Sequence, residues 1–174
     1  MRSSFISALV AVCVVCGCTH PVETIQEEPR MSDLEWGPVT EWCRVSLSAD
    51  RSSSVAGEKI TVTVVLRNVS DKPVQYEPYP FAPGIDYKVF AAEGESAEMT
   101  AYGRLLRDSA GVSSSAVETL APGQDVVYEL LLSRVYDLTV AKSYRAQVSR
   151  VIVSQGRSAT ASSNVLKLEV SERE

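Results

Sequence analysis

The chain has 174 residues, 45% of them hydrophobic, a single histidine, four cysteines and a net charge of −5. That length fits one ordinary domain, and a domain near 150 residues buries roughly 68–70% of its unfolded surface, enough for a core without disulfide staples. His20 alone excludes a Ser-His-Asp triad within the domain, a multi-histidine zinc site and a two-histidine facial triad, and the acidic balance argues against a nucleic-acid groove, which needs clustered Lys and Arg.

Arg2 is the only charge before Glu23. Residues 5–15 form an apolar stretch interrupted only by Ser7. Such a stretch has the length of a signal-peptide h-region and is too short to span a bilayer as a helix. It ends in Val15-Cys16-Gly17-Cys18, an aliphatic residue and two small ones before a cysteine. This resembles a bacterial lipobox. The resemblance implies removal of residues 1–17, diacylglycerol on the Cys18 sulfur and a further acyl chain on its amine. Cys13 and Cys16 are competing attachment positions, but bulky valines precede both. Each buried methylene contributes about 0.8 kcal/mol, so two or three chains anchor the protein stably. Thr19, where an Asp would signal retention at the inner membrane of enteric-type bacteria, points to the outer membrane, with the domain facing the periplasm or the exterior. An ordinary secretory signal cleaved near Gly17 is the competing reading. With residues 1–17 gone and Cys18 acylated, Cys43 remains alone and cannot form an intramolecular disulfide.

Residues 18–40 read as the lipidated cysteine followed by an acidic tether. They contain Pro21, Pro29 and Pro38, the acids Glu23, Glu27, Glu28, Asp33 and Glu35, and no apolar period. Such composition favours a solvated chain. Trp36 and Trp42 at its end are placed to dock on the domain edge.

Residues 41–174 read as an all-β domain of about eight strands. Cys43, Val45, Leu47 and Ala49 share one face of the first, so Cys43 is expected in the core. Ile60, Val62, Val64 and Leu66 alternate with Thr61, Thr63 and Val65, a half-buried strand of mostly β-branched residues. Asn68-Val69-Ser70-Asp71-Lys72-Pro73 is a turn, because Asn and Ser bond local backbone and Pro fixes φ. Short strands follow at 74–76 and 86–91, with Glu93-Gly94-Glu95 closing a loop. Residues 117–120 lead into the turn Ala121-Pro122-Gly123. Alternation returns in Val126, Tyr128, Leu130 and Leu132, in Tyr144, Ala146 and Val148, and in Leu166, Leu168 and Val170. Helical turns are expected only at 102–107 and 134–138. Ser52-Ser53-Ser54 and Ser113-Ser114-Ser115 are read as lying between strands. Short strands spaced by turn signals give an antiparallel sandwich.

The run Gly57-Glu58-Lys59-Ile60 leading to Asn68-Val69-Ser70-Asp71-Lys72-Pro73-Val74, with Leu120-Ala121-Pro122-Gly123-Gln124 later, resembles bacterial immunoglobulin-like domains. A weaker resemblance is to the intracellular proteinase inhibitor family, also a small β-sandwich. The likeness runs from about Val45 to Val170. It implies that Tyr144 acts as a tyrosine-corner residue, although the Pro-Gly usual before it is missing here.

Residues 76–87 hold three prolines and four aromatics, and Tyr79 and Phe81 are the side chains expected to meet a partner. Aromatics plugging the end of the core are the alternative. Arg104 and Arg107, three apart on a helical turn, could form a small anion site, and Arg134 is expected to pair with Asp137. Glu93, Glu95 and Glu98 carry no metal-loop or paired-carboxylate pattern. No catalytic residue, metal ligand or cofactor is assigned. The sequence therefore implies a lipid-anchored, non-catalytic module that binds an envelope protein. Its alternatives are a glycan- or peptidoglycan-binding module and an inhibitor of an envelope protease.

Overall fold

The alternation of Thr with Val and Leu over 61–66 makes one face apolar, and a second apolar sheet must cover it. The computed structural model describes residues 33–78, 85–91, 93–109 and 117–173. In chain order the elements are β1 (Cys43–Ala49), β2 (Ser53–Val55), β3 (Thr61–Asn68), β4 (Val74–Tyr76), β5 (Ile85–Ala91), α1 (Ala101–Ser109), β6 (Glu118–Leu120), β7 (Asp125–Leu131), α2 (Leu132–Val135), β8 (Lys142–Ser154), β9 (Arg157–Ser162) and β10 (Leu166–Ser171). One sheet has the order β1-β3-β7, all antiparallel. The long β8 is the spine of the other. β9 and then β10 run along one flank of β8, while β5 and β4 share the opposite flank, with β6 beyond β4.

The core lies between the sheets. Val45, Leu47, Val62, Val64 and Leu66 face Val74, Val89, Val148, Ile152 and Leu168, all at most 2% exposed. Burying one such side chain contributes roughly 1.5–3 kcal/mol. Cys43 is 1% exposed among them, the core position its strand face predicted. The Tyr144 hydroxyl donates to the Val140 carbonyl at 3.0 Å, so the tyrosine corner forms without Pro-Gly. The domain is an immunoglobulin-like β-sandwich.

Two turn motifs far apart in sequence meet at Asn68, which is fully buried. Its amide nitrogen donates to the Lys72 and Leu120 carbonyls at 2.7 and 2.9 Å, and its oxygen accepts from the Ser70 N–H and hydroxyl. Its backbone N–H donates to the Gln124 carbonyl, and its carbonyl accepts from the Gly123 N–H. Gly123 has φ of 73°, a left-handed conformation that glycine adopts at no steric cost. At the opposite corner the Asn164 amide bonds both the N–H and the carbonyl of Leu47, at 2.7 and 2.9 Å. That edge of β1 is otherwise occupied by Thr40 on Cys43 and by the Gly37 N–H on the Val45 carbonyl. Residues 35–37, read from sequence as tether, thus lie against the domain. The Trp36 ring stacks 4.1 Å from the Arg44 guanidinium and 5.0 Å from that of Arg67.

Several expectations are corrected. There are ten strands among the described residues, two more than predicted. Ser53 and Ser54 do not lie between strands but form β2, parallel to β10. β7 stops at Leu131, and Leu132 is buried instead in the one-turn α2, which begins two residues before the predicted turn. Here the Leu132 N–H leaves the ladder and bonds the Ile60 carbonyl. β8 continues past Val148 to Ser154 and returns as β9 through Gln155-Gly156, where both residues have positive φ. A two-residue turn of that kind matches the strand twist.

Two predictions follow from these polar atoms in an apolar setting. Asn68→Asp keeps the shape but turns a donor toward two carbonyls into an acceptor. It should lose about 2–4 kcal/mol, at least as much as Asn68→Ala, because buried groups are left unpaired. Urea midpoints of the two variants test this, and a neutral Asn68→Asp would refute the role given to the amide. The second concerns alkaline pH. Burial pushes the Cys43 thiol up from 9.0 to about 11, against a smaller opposing effect of Arg150. Burial also pushes the Tyr87 and Tyr136 phenols up from 10.0 to about 12. The native state holds these protons more tightly than the unfolded chain. Their contribution is therefore complete below pH 9 and is lost as pH rises through about 11 to 12. The urea midpoint should fall over that window, and Cys43→Ala should remove the lower part of the fall.

Candidate functional site

Tyr79 and Phe81 lie outside the described residues, as does Cys18, but both flanks of residues 79–84 are described. Both lie beside Arg150, and its side chain bonds the first. The Arg150 Nη2 donates to the Glu77 carbonyl at 2.5 Å, just after β4. Ile85, the first residue of β5, pairs with Arg150 in the ladder. Arg150 is 2% exposed and points inward from β8, where the alternation calls for an apolar side chain. Its guanidinium lies 4.3 Å from the Tyr128 ring and 5.9 Å from the Tyr76 ring. The Tyr76 hydroxyl donates in turn to Glu118 at 2.6 Å. Stacking on π faces and a carbonyl offset the lost hydration of a charge that has no carboxylate within ion-pair distance among the described residues.

A second feature stands beside β5. A cleft of about 490 Å³ opens between β5, residues 96–99 and α1. Three elements build it. The segment 95–97 returns along β5, with the Ala97 N–H on the Val89 carbonyl at 2.8 Å. Thr100 then caps α1, its hydroxyl oxygen accepting the Gly103 N–H at 3.0 Å. Gly103 is required inside this helix, because a Cβ there would meet the Val135 carbonyl oxygen at 2.2 Å. The close approach seats α1 on α2 and turns Arg104 and Arg107 toward the cleft. Tyr136 closes the remaining side, its hydroxyl donating to the Tyr87 carbonyl at 2.6 Å.

The cleft thus brings together Arg104 and Arg107, as the helical spacing suggested, and adds Lys88 from β5, which the sequence reading did not use. The Arg104 Nη1 donates to the Met99 carbonyl at 2.5 Å, which orients its guanidinium. Tyr87, Phe90 and Met99 supply apolar wall. Arg134 does not pair with Asp137. Its guanidinium stacks 3.9 Å from the Tyr102 ring, and Asp137 instead accepts from the Thr139 hydroxyl and N–H. Those hydrogen bonds hold the Asp137 carboxyl below the usual carboxylate range. A separate groove of about 380 Å³ on the other side of residues 95–98 carries Glu95, Glu98 and Asp137, with Lys142. No group of three metal-ligating side chains occurs among the described residues.

Neither a protein-family model nor a curated protein sequence matches the chain. Solved structures do. A structural-genomics target, SoR45, superposes with a TM-score of 0.50 at 15% identity, covering 76% of this chain and 90% of its own. The PapD-like domain 7 of human CEP192 gives 0.40 at 11% identity, covering 74% and 87%. The periplasmic chaperone SfaE gives 0.35 at 14% identity, covering 75% and 57%. At 15% identity the likeness to SoR45 speaks for the fold alone.

Arg150 is the residue expected to hold the Glu77 flank of residues 79–84. Arg150→Met keeps the stem but not the donor or the charge. It should cost about 1–3 kcal/mol and speed proteolysis within residues 79–84. Arg150→Lys should recover little, since a lysine lacks the planar stacking group. Urea unfolding and timed proteolysis read both effects, and an Arg150→Met variant as stable and as resistant as the parent would remove the arginine from this role.

Proposed function

We propose that the chain is a lipoprotein, acylated on Cys18 and held at a cell-envelope membrane, whose sandwich is a non-catalytic module for binding a protein partner. The run of residues 5–15 followed by Val15-Cys16-Gly17-Cys18 supports the anchor. Two or three acyl chains meet what stable attachment needs. The observation that carries the binding reading is the anchoring of the two flanks, Glu77 by the Arg150 side chain and Ile85 as the first residue of β5. Ordered flanks lower the entropy lost when a partner binds between them, and prolines in the sequence of residues 79–84 lower it further. Tyr79 and Phe81 are the contact residues of this reading. An immunoglobulin-like sandwich is compatible with such a role.

The test has two parts. Mass spectrometry of the mature protein should find an N-terminal Cys18 carrying diacylglycerol, and an unmodified Cys18 would overturn the anchor. Crosslinking in intact membranes should capture a protein partner, and Tyr79→Ala with Phe81→Ala should abolish that capture while the urea midpoint stays unchanged. Capture that survives the double substitution would overturn the assignment of these two residues.

A further inference from the structure

In a chain of net charge −5, the cleft beside α1 reverses sign locally. Lys88, Arg104 and Arg107 line it against one acid, Glu98. We infer that this cleft binds a short acidic peptide segment of a protein partner, one or two carboxylates adjoining an apolar side chain; this rests on the reading of the sandwich as a partner-binding module.

Four observations favour that class of ligand. The basic side chains are available: among the described residues Arg107 pairs with Asp108 at 3.3 Å, with both side chains exposed, and Lys88 pairs with Asp86 in the same way at 3.5 Å. Exposed pairs of this kind contribute little, so an incoming carboxylate can replace them. Arg104 is held in place by the Met99 carbonyl and keeps further N–H groups for a ligand, in the fork geometry that suits a carboxylate. The volume of about 490 Å³ far exceeds what a bare anion fills, and Phe90 and Met99 give the remainder an apolar wall. The neighbouring groove with Glu95, Glu98 and Asp137 repels a long polyanion, so the acidic run must be short. The same groove and the net negative charge disfavour an anionic lipid surface. Tyr136 occupies the Tyr87 carbonyl, so recognition there is by side chains and not by an added strand.

The test uses the mature full-length protein in detergent micelles and a fluorescein-labelled peptide with two glutamates flanking a phenylalanine. Its anisotropy should saturate, and raised salt should weaken binding. Arg104→Gln with Arg107→Gln should weaken it at least tenfold, and Lys88→Gln severalfold. Arg51→Gln, remote from the cleft, should change nothing. The urea midpoints of these variants are measured alongside, so a loss of binding is not mistaken for a loss of fold. Equal binding of the lysine counterpart of the peptide, of inorganic phosphate, or of anionic vesicles in place of the peptide would overturn the inference. So would binding that survives the double arginine substitution, or no binding by the parent protein. None of these results touches Tyr79 and Phe81, whose reading stands or falls on crosslinked capture.

Discussion

One buried amide sets the geometry on which the sandwich depends. Apolar burial holds two sheets together but is non-directional, so it does not by itself choose how they are aligned. Asn68 supplies the direction. It ends β3 in the three-stranded sheet, and its side chain reaches the Lys72 carbonyl before β4 and the Leu120 carbonyl at the end of β6, both on the opposite sheet. Its main chain meets Gly123 and Gln124 just before β7. Four segments are therefore fixed by one fully buried residue whose hydrogen-bonding groups are all used. Any other register would leave those groups unpaired in an apolar setting, at a cost of roughly 1–3 kcal/mol each. Asn164 repeats the device at the far corner by closing on Leu47.

The legible parts of the sequence are those where one local signal decides. The β3 alternation, the turns around Asn68 and Gly123, the core position of Cys43 and the helical turn beginning near Tyr102 all follow from spacing or turn chemistry within a few residues. What is lost depends on distant partners. Ser53-Ser54-Val55 becomes a strand only because β10 offers an edge. The second half of β8 contains Arg150 and Ser154 at inward positions, which break the apolar period, yet β9 pairs with it through a turn of Gln155-Gly156. Arg134 and Asp137 looked like a local pair, but Tyr102 and Thr139 compete for them from better positions.

The candidate sites divide the same way. Arg104 and Arg107 share a helical face, which spacing alone reveals. Lys88 joins them only because β5 and α1 are brought side by side. Arg150 gave no signal at all. An arginine in an alternating strand reads as an outward residue, and only the rings of Tyr76 and Tyr128, from two other strands, make its inward placement tolerable. The charge that looks misplaced in the core is also the group that holds the Glu77 carbonyl, just after β4. A methionine would fill much of the same volume without holding the Glu77 carbonyl.

The entry segment and the basic cleft are set on different parts of the sandwich. Fourteen residues lie between Cys18 and Asp33. Fully extended they span at most about 50 Å, since each residue contributes no more than about 3.6 Å. The residues just after them do not add to that reach, because Trp36 stacks on Arg44, the Glu35 carbonyl accepts the Ser46 hydroxyl at 2.6 Å and Gly37 bonds Val45. Arg44 and Ser46 belong to β1, so the chain enters the domain along the three-stranded sheet. The basic cleft is built on β5, in the other sheet. The segment by which the chain enters the domain and the basic cleft are therefore built on different sheets, so substitutions in one leave the contacts of the other in place.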